Sequence, residues 1–242
     1  IERIGEDVKH FKVGDFVFGH TDMSFGAYAE YKCLSEDASI ALKPSNMTHL
    51  EAAVIPFGGV TAWHFIKKAA IKPGQKVLVV GASGAVGSAA VQLAKSLGAH
   101  VTGVSSTANM ALVKSIGADA VIDYTKEDFT QKGETYDVIF DTVKSISVAR
   151  SLKSLTKNGI MILSAAGMAE MLQGAWISRT SSKKVITGVI SHNASDITFL
   201  KGLMESGQLK PVIDRTYSLD QIAEAHAYAE KGRKKGNVAI EV

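Results

Sequence analysis

Short apolar runs bounded by glycine or polar residues recur through the middle of the chain and predict strands buried on both faces. Between them lie stretches with apolar residues at helical spacing, which end near Gly98, Gly117 and Asn158-Gly159. This alternation predicts an α/β fold with a doubly wound parallel sheet, a Rossmann arrangement. The predicted strands cover 77–80, 101–104, 120–122, 138–140, 160–163 and 185–190.

The first part of the chain has a different pattern. Residues 1–44 are short alternating apolar segments interrupted by glycines, which predict antiparallel strands and turns. Thr48-His49-Leu50-Glu51 is a capping-box sequence that opens a helix, and a second helix is predicted over Thr61 to Ala70. Tyr28 and Tyr31 are predicted to lie along one of the early strands, with packing as their role.

The last part of the chain returns to this β-rich texture. Ser218-Leu219-Asp220-Gln221 predicts the start of a helix that continues to about Lys231, and Asn237 to Val242 predicts a final strand. We therefore expect a nucleotide-binding domain inserted in a partial β-rich domain. The expected boundaries are 48–213 for the first, and 1–47 with 214–242 for the second.

Gly81 to Gly87 joins the apolar run Val77 to Val80 to an alanine-rich helical stretch. The dinucleotide fingerprint Gly-x-Gly-x-x-Gly reads here as Ala82-x-Gly84-x-x-Gly87, with alanine at the first glycine. At such a junction the first N–H groups of the helix and the positive end of its dipole face an anion. Small residues also let a pyrophosphate approach the backbone, so the segment predicts a dinucleotide site.

The second part of that fingerprint is an acidic residue at the end of the next strand, where it binds the ribose of NAD. None is present between Gly87 and Asp119, and the strand runs instead into Ser105-Ser106-Thr107-Ala108-Asn109. Hydroxyl and amide groups suit a 2′-phosphate, which a carboxylate would repel, and this predicts NADPH rather than NADH. The alternative is that these residues only form a turn and cap the following helix.

Composition and charge narrow the class of protein. Apolar residues make up 46% of the chain and charged residues 21%, and the net charge of +3 is spread along the sequence, so we expect no nucleic-acid partner. The lone Cys33 excludes a disulfide framework and is predicted to be a core residue. No apolar stretch is long enough for a bilayer and no signal-peptide pattern occurs at Ile1, so we expect no membrane association and a cytoplasmic location.

Eight motifs are distributed along the chain, at 11–19, 26–31, 58–63, 81–87, 97–99, 117–119, 121–124 and 236–238. Together they resemble the medium-chain dehydrogenase/reductase superfamily and, within it, the zinc-independent quinone oxidoreductase (zeta-crystallin-like) branch. The resemblance covers nearly the whole chain and implies that the β-rich domain is GroES-like. Members of that family have a further stretch before the point that matches Ile1, so we expect the sequence to be a fragment, a processed form or a record without its beginning.

The resemblance implies where an NADPH molecule binds. Gly59 and Thr61 would lie beside the nicotinamide and diphosphate, and Ser105, Asn109 and Tyr124 would surround the 2′-phosphate. Some relatives carry lysine at the position of Asn109, which weakens the phosphate argument. The complete implied cofactor set is Gly59, Thr61, Ala82, Ser83, Gly84, Ala85, Val86, Gly87, Ser105, Asn109, Tyr124, Val143, Ala166 and Ser191.

Some positions leave two interpretations open. Lys144 replaces the usual glycine of its family segment, and we expect it to point into solvent rather than toward the cofactor. His192, at the end of a later strand, is a candidate proton donor or a helix cap. Arg233 or Lys235 would supply a positive charge for the phosphate or would simply be solvated.

No metal site is expected. Phe57 stands where zinc-dependent relatives place a ligand cysteine, and a catalytic zinc needs three protein ligands. His20 and His49 are therefore interpreted as surface or packing residues.

The expected reaction is hydride transfer from NADPH to a quinone or an α,β-unsaturated carbonyl. No catalytic acid is assigned. The alternatives are a non-catalytic NADPH-binding protein of the same fold and an enoyl-reductase module of a larger synthase. By resemblance we expect a homodimer, with Val185 to Ile190 as the candidate edge strand.

Overall fold

The structure is a computed structural model that describes residues 1–144, 147–191 and 193–242. The chain forms two compact units, one of residues 1–60 with 191–242 and one of residues 61–190. We call them unit 1 and unit 2. The domain boundaries predicted from the sequence stay a prediction.

Unit 2 contains a six-stranded sheet in the order β5-β4-β3-β6-β7-β8, and all of its strand pairs are parallel. Chain order reverses between β3 and β6, which is where an open α/β sheet binds its ligand. The predicted doubly wound fold is confirmed. The strands are β3 (Lys76–Val80), β4 (His100–Ser105), β5 (Ala120–Asp123), β6 (Tyr136–Asp141), β7 (Leu155–Leu163) and β8 (Lys184–Ile186).

The central strands are buried on both faces, as expected for a parallel sheet covered by helices. Leu78, Ile139 and Met161 are fully buried side chains of one core cluster on the sheet. The associated helices are α2 (Ile55–Ala69), which continues from unit 1, α3 (Ala85–Ser96), α4 (Met110–Ser115), α5 (Val148–Ser151) and α6 (Met168–Thr180).

Unit 1 has two small sheets. In one, β1 (Val17–Gly19) pairs antiparallel with β2 (Ile40–Leu42), and in the other β9 (Ile213–Ser218) pairs parallel with β10 (Asn237–Glu241). The predicted capping boxes are both present, at Thr48 and at Ser218. The helices of this unit are α1 (His49–Ala53), α7 (Ala194–Glu205) and α8 (Ile222–Glu230).

The prediction of strands throughout residues 1–44 is wrong for much of that segment. Residues 26–34 form neither helix nor strand, so the prediction that Tyr28 and Tyr31 lie along a strand is wrong. Both rings are exposed, and Tyr28 packs edge-on against His226 with ring centroids 5.8 Å apart. Cys33, in the same segment, is exposed rather than part of a core. An alternating pattern gives a strand only where a neighbouring strand can pair with it.

Other element boundaries also differ. Helix α2 begins at Ile55 rather than Thr61, and Asn158-Gly159 lies inside β7 instead of ending a helix. Strand β8 ends at Ile186, so residues 187–190 of the predicted edge strand are not in a strand. Five short 3-10 turns complete the described structure: Asp22–Ser24, Thr107–Asn109, Phe129–Gln131, Leu152–Ser154 and Leu219–Gln221.

None of the helices in the described ranges combines the length and the apolar character that a membrane span requires.

Candidate functional site: a phosphate turn at the carboxyl ends of the strands

The turn between β3 and α3 is hydrogen-bonded to the neighbouring strand β4. The backbone N–H groups of Gly81 and Ala82 both donate to Val104 O, at 3.1 and 3.0 Å. Gly84 then donates to Gly81 O at 3.0 Å and serves as the N-cap of α3, where it offers no capping side chain. The residues from Ser83 to Val86 are half-buried. The first N–H groups of α3 therefore lie at a partly open surface, where the helix dipole favours an anion.

The glycines of this turn are required for different reasons. Gly81 has φ +78°, and a Cβ there would lie 2.6 Å from Val143 Cγ1. A Cβ on Gly87 would overlap the carbonyl oxygen of Gly81. Both positions thus need glycine for the fold itself.

Gly84 is not required by the fold. Its φ is −81°, and the nearest atom to a Cβ built there is Gly81 O at 3.5 Å, which is ordinary van der Waals contact. Alanine would therefore fit in the protein alone. An uncovered backbone at the start of a helix is what a bound diphosphate needs, so this position fits the predicted dinucleotide.

The predicted 2′-phosphate residues lie at the carboxyl end of β4 and next to it. Ser105, the last residue of β4, is 2% exposed, and Tyr124 directly follows β5 and is exposed. Asn109 Nδ2 donates to Ser83 Oγ at 3.0 Å, which joins the loop after β4 to the phosphate turn. Neither Ser106 nor Asn109 caps the following turn or helix with its side chain, so capping does not explain these residues.

Asp123 is a carboxylate at this end of the sheet that the sequence argument missed. It ends β5 opposite Ser105 in the register and is 4% exposed. It accepts hydrogen bonds from the hydroxyl of Thr107, from Thr125 Oγ1 at 2.7 Å and from Thr125 N at 3.0 Å. These bonds, led by that of Thr107, lower the pKa of Asp123 from its ordinary 3.8 to about 2. The motif 121–124 contained Asp123, but only the register shows that it lies beside Ser105.

Lys144 and Glu170 form an ion pair at the carboxyl ends of β6 and β7, with Lys144 Nζ 2.9 Å from Glu170 Oε1. The Lys144 side chain is 53% exposed, so it reaches solvent as expected, and it pairs with Glu170 as well. Hydrogen bonds from Lys144 and from backbone N–H groups lower the pKa of Glu170. Both residues line a cavity of about 270 Å³ together with Asp141, Leu163 and Ala166. Val143, another predicted contact, is half exposed.

Gly59 and Thr61 both belong to α2. The Thr61 side chain is buried, and within the described residues its hydroxyl has no hydrogen-bond partner. A buried hydroxyl without a hydrogen-bond partner is unusual in a folded protein, and a hydrogen bond to a bound ligand would explain it. A Cβ on Gly59 would lie 3.0 Å from Leu200 Cδ1, so close packing on α7 already favours glycine there.

The remaining predicted residues belong to unit 1. Ser191 and Arg233 are exposed, and Lys235 donates its backbone N–H to Asp214 Oδ2 at 3.0 Å. His192 lies outside the described residues. The roles predicted for all of these residues stay predictions.

The histidines considered for a metal have aromatic neighbours. His20 stacks on Phe57 with ring centroids 6.3 Å apart, and His49 meets Phe16 edge-on at 5.1 Å. Within the ranges that the structure describes, no three His, Cys, Asp or Glu side chains are grouped as a metal site. A mechanism without zinc stays a prediction.

Comparison with known proteins agrees with this geometry. Residues 116–240 match a family model described as zinc-binding dehydrogenase. The chain is 35% identical over 254 residues to the chloroplastic quinone oxidoreductase QR1 of Triphysaria versicolor, with all of this chain and 77% of that protein covered. The chain belongs to the quinone oxidoreductase branch of the medium-chain dehydrogenase/reductase superfamily.

A further relative and a solved structure are also similar to this chain over almost its whole length. A 2-methylene-furan-3-one reductase of Solanum lycopersicum is 34% identical over 99% of this chain, which spans only 61% of that relative. The solved structure of the quinone oxidoreductase from Coxiella burnetii superposes with a TM-score of 0.89 at 28% identity, covering 99% of this chain and 75% of the other. The oxidoreductase fold of the superfamily therefore extends over essentially the whole chain.

Proposed function

We propose that this protein is an NADPH-dependent reductase that transfers a hydride to a quinone or an α,β-unsaturated carbonyl without zinc. The observation that carries the proposal is the turn 81–87 at the switch point of the parallel sheet, where Gly84 is glycine although the fold does not need it. The names of the relatives support the chemistry. They include quinone oxidoreductases and an NADPH-dependent alkenal/one oxidoreductase of Arabidopsis thaliana.

The preference for NADPH over NADH rests on the loop after β4. Ser105, Asn109 and Tyr124 offer hydroxyl and amide groups, and the nearby carboxylate of Asp123 is already bonded to Thr107 and Thr125. A ribose 2′-hydroxyl is held in NAD-binding relatives of this fold by a carboxylate that is free to accept its proton. The oxygens of Asp123 are instead bonded to Thr107 and Thr125, so this carboxylate is not free to hold a ribose 2′-hydroxyl in that way.

When bound, the reduced nicotinamide supplies the hydride. The task of the protein is to hold the cofactor and to keep water away from the reacting atoms. The N–H groups at the start of α3 bind the diphosphate, and the Thr61 hydroxyl on α2 has unused hydrogen-bonding capacity for the ligand. Proton donation to the reduced acceptor is not assigned to a side chain.

The partner expected from this proposal is a small-molecule acceptor, and the compartment is proposed to be the cytoplasm. Several relatives carry chloroplastic or mitochondrial names, so location varies among proteins of this kind. A homodimer is proposed as the assembly.

The test is a fluorescence titration with NADPH and with NADH, followed by addition of a quinone and then of a small enone. We expect tighter binding of NADPH and its oxidation by at least one acceptor, followed as the loss of absorbance of the reduced nicotinamide. Binding without turnover by either acceptor would favour a non-catalytic NADPH-binding protein. Failure to bind both dinucleotides would contradict the proposal at its first step.

A further inference from the structure

The loop that follows β6 is tied to the phosphate turn. Asp141, the last residue of β6, accepts hydrogen bonds from the backbone N–H groups of Val143 and Lys144 at 2.9 and 2.8 Å. Thr142 Oγ1 donates to Val80 O at 2.8 Å. The position of a Cβ on Gly81 would be 2.6 Å from Val143 Cγ1, so Val143 packs directly on the turn. The conformation of this loop therefore affects the shape of the predicted diphosphate site.

Lys144 has an unusual backbone conformation. Its φ is +53°, in the left-handed region that favours glycine. In the described part of the chain only three other non-glycine residues, Asp22, Phe25 and Ala70, have positive φ. A lysine in this conformation is less stable than a glycine would be, so contacts of the surrounding structure must hold the loop in it.

The side chain of Lys144 connects the loop to the next element. Its ammonium group is 2.9 Å from Glu170 Oε1, and the other oxygen of Glu170 accepts the backbone N–H of Gly167, the N-cap of α6, at 2.9 Å. One carboxylate thus joins the end of the β6 loop to the start of α6. The joined loops carry Val143 and Ala166, two of the predicted cofactor contacts, and the pair lines the cavity between them.

We propose that the Lys144–Glu170 ion pair is a clasp that holds the β6 loop against the phosphate turn, which makes Lys144 a positioning residue for dinucleotide binding. The clasp rests on the proposed function insofar as the ligand is NADPH. Its physical effect is preorganisation: a loop already held in its binding conformation loses less entropy when the ligand arrives.

The variants that test the clasp are Lys144→Met, Glu170→Gln, their combination and Lys144→Arg. Glu170→Gln removes the charge but keeps a side chain that caps a helix at this position. Lys95→Met is the matched control, because Lys95 also forms an ion pair, with Asp119 at 2.8 Å. That pair lies beside the amino ends of β4 and β5, whereas the phosphate turn lies at the carboxyl ends of the strands.

The first measurement is hydrogen–deuterium exchange of the free protein. We expect peptides containing the Val143 and Lys144 amides to exchange faster in Lys144→Met and Glu170→Gln, and at the wild-type rate in Lys144→Arg and Lys95→Met. This readout does not depend on any cofactor. Unaltered exchange in both charge-removing variants would overturn the clasp.

The second measurement is the NADPH dissociation constant of the same proteins. We expect each single charge-removing variant to bind about threefold more weakly, as for an exposed ion pair, and the double variant to bind no more weakly than either single one. Lys144→Arg should bind as the wild type does. Additive losses in the double variant, or equal loss in Lys95→Met, would overturn the clasp.

The two proposals fail in distinguishable ways. If the wild type binds neither NADPH nor NADH, the proposed function and the effect of the pair on affinity both fall, and the exchange data alone decide whether the pair orders the loop. If the wild type binds NADPH while the variants match it in exchange and affinity, the clasp alone is overturned.

Discussion

At the level of single residues, the glycines of the phosphate turn separate the needs of the fold from those of a ligand. Gly81 and Gly87 are surrounded by atoms that leave no room for a side chain, whereas a Cβ on Gly84 would make only ordinary van der Waals contact. The sequence predicted a phosphate turn in this segment because strand, glycines and helix follow one another. It could not rank the glycines, since contacts of Gly81 with Val143 depend on a loop far away in the chain.

Gly84→Ala and Gly87→Ala are therefore expected to have opposite profiles. Gly84→Ala should change the free energy of unfolding by less than about 0.5 kcal/mol, because a small loss at the N-cap is offset by a less flexible unfolded chain. It should weaken NADPH binding about tenfold, because the added methyl group would block a charge-assisted hydrogen bond between the first N–H groups of α3 and the diphosphate. Gly87→Ala should destabilise the protein by on the order of 1–3 kcal/mol through overpacking. Urea denaturation and fluorescence titration measure both, and a stable Gly84→Ala protein with unchanged affinity would contradict the assignment.

Asp123 gives the protein a defined acid sensitivity. Its folded pKa, about 2, is below the ordinary 3.8, so its hydrogen bonds stabilise the folded state above pH 3.8 and this contribution is lost as the pH falls toward 2. We expect the free energy of unfolding of the wild type to fall more steeply in that interval than that of Asp123→Asn. The measurement is urea denaturation at several pH values, with Glu6→Gln, an exposed residue, as control. Parallel curves for wild type and Asp123→Asn would refute this role.

At the level of elements, the central strands were predictable and several other boundaries were not. Strands β3 to β6 are continuous buried runs, and such runs mark a parallel sheet without further information. Gly159 suggested the end of a helix, but it lies in β7, where a Cβ would be 3.0 Å from the side chain of Leu155. Gly58 and Gly59 similarly hid the first turns of α2, because close packing of Gly59 on Leu200 is a tertiary contact.

Two helix glycines, one with free space around it and one in close packing, allow the effect of tertiary contacts on stability to be tested. Gly202 is exposed in α7 with no atom within 4 Å of a built Cβ, so Gly202→Ala should raise the free energy of unfolding by about 0.5–1 kcal/mol. Gly174 in α6 has Val185 Cγ1 at 2.8 Å from such a Cβ, so Gly174→Ala should lose that gain. Thermal and urea denaturation compare the two, and equal stabilisation would show that α6 does not pack closely on β8.

At the level of the whole molecule, the doubly wound parallel sheet and the family could be predicted from the sequence, while the contacts among the candidate site residues could be predicted only in part. The phosphate turn and the loop after β4 are each continuous in the chain, and their hydrogen bond between Asn109 and Ser83 joins neighbouring strand ends. Asp123 and Glu170 act through partners on other loops, namely Thr107 and Lys144. Pairs of this kind have no spacing rule that a sequence pattern could reveal.

The proposed homodimer makes one prediction at this scale. Strand β8 is an edge of the six-stranded sheet, and Val189, just beyond it, is 87% exposed. Val189→Asp should shift the protein from dimer to monomer, because it places a charge beside the proposed pairing edge. Light scattering on wild type and variant is the measurement, with Val13→Asp, at a valine of unit 1 that is 58% exposed, as control. A monomeric wild type would rule out this assembly.

The room for a Cβ at Gly84 also bears on how such proteins diverge. A lineage that ceased to bind dinucleotides would keep Gly81 and Gly87, because selection for a folded protein alone retains them. Gly84 would be released to drift, since only the ligand excludes a side chain there. Among descendants of one ancestor, substitution of Gly84 would thus indicate the loss of dinucleotide binding, whereas Gly81 and Gly87 would be unchanged in both kinds of descendant.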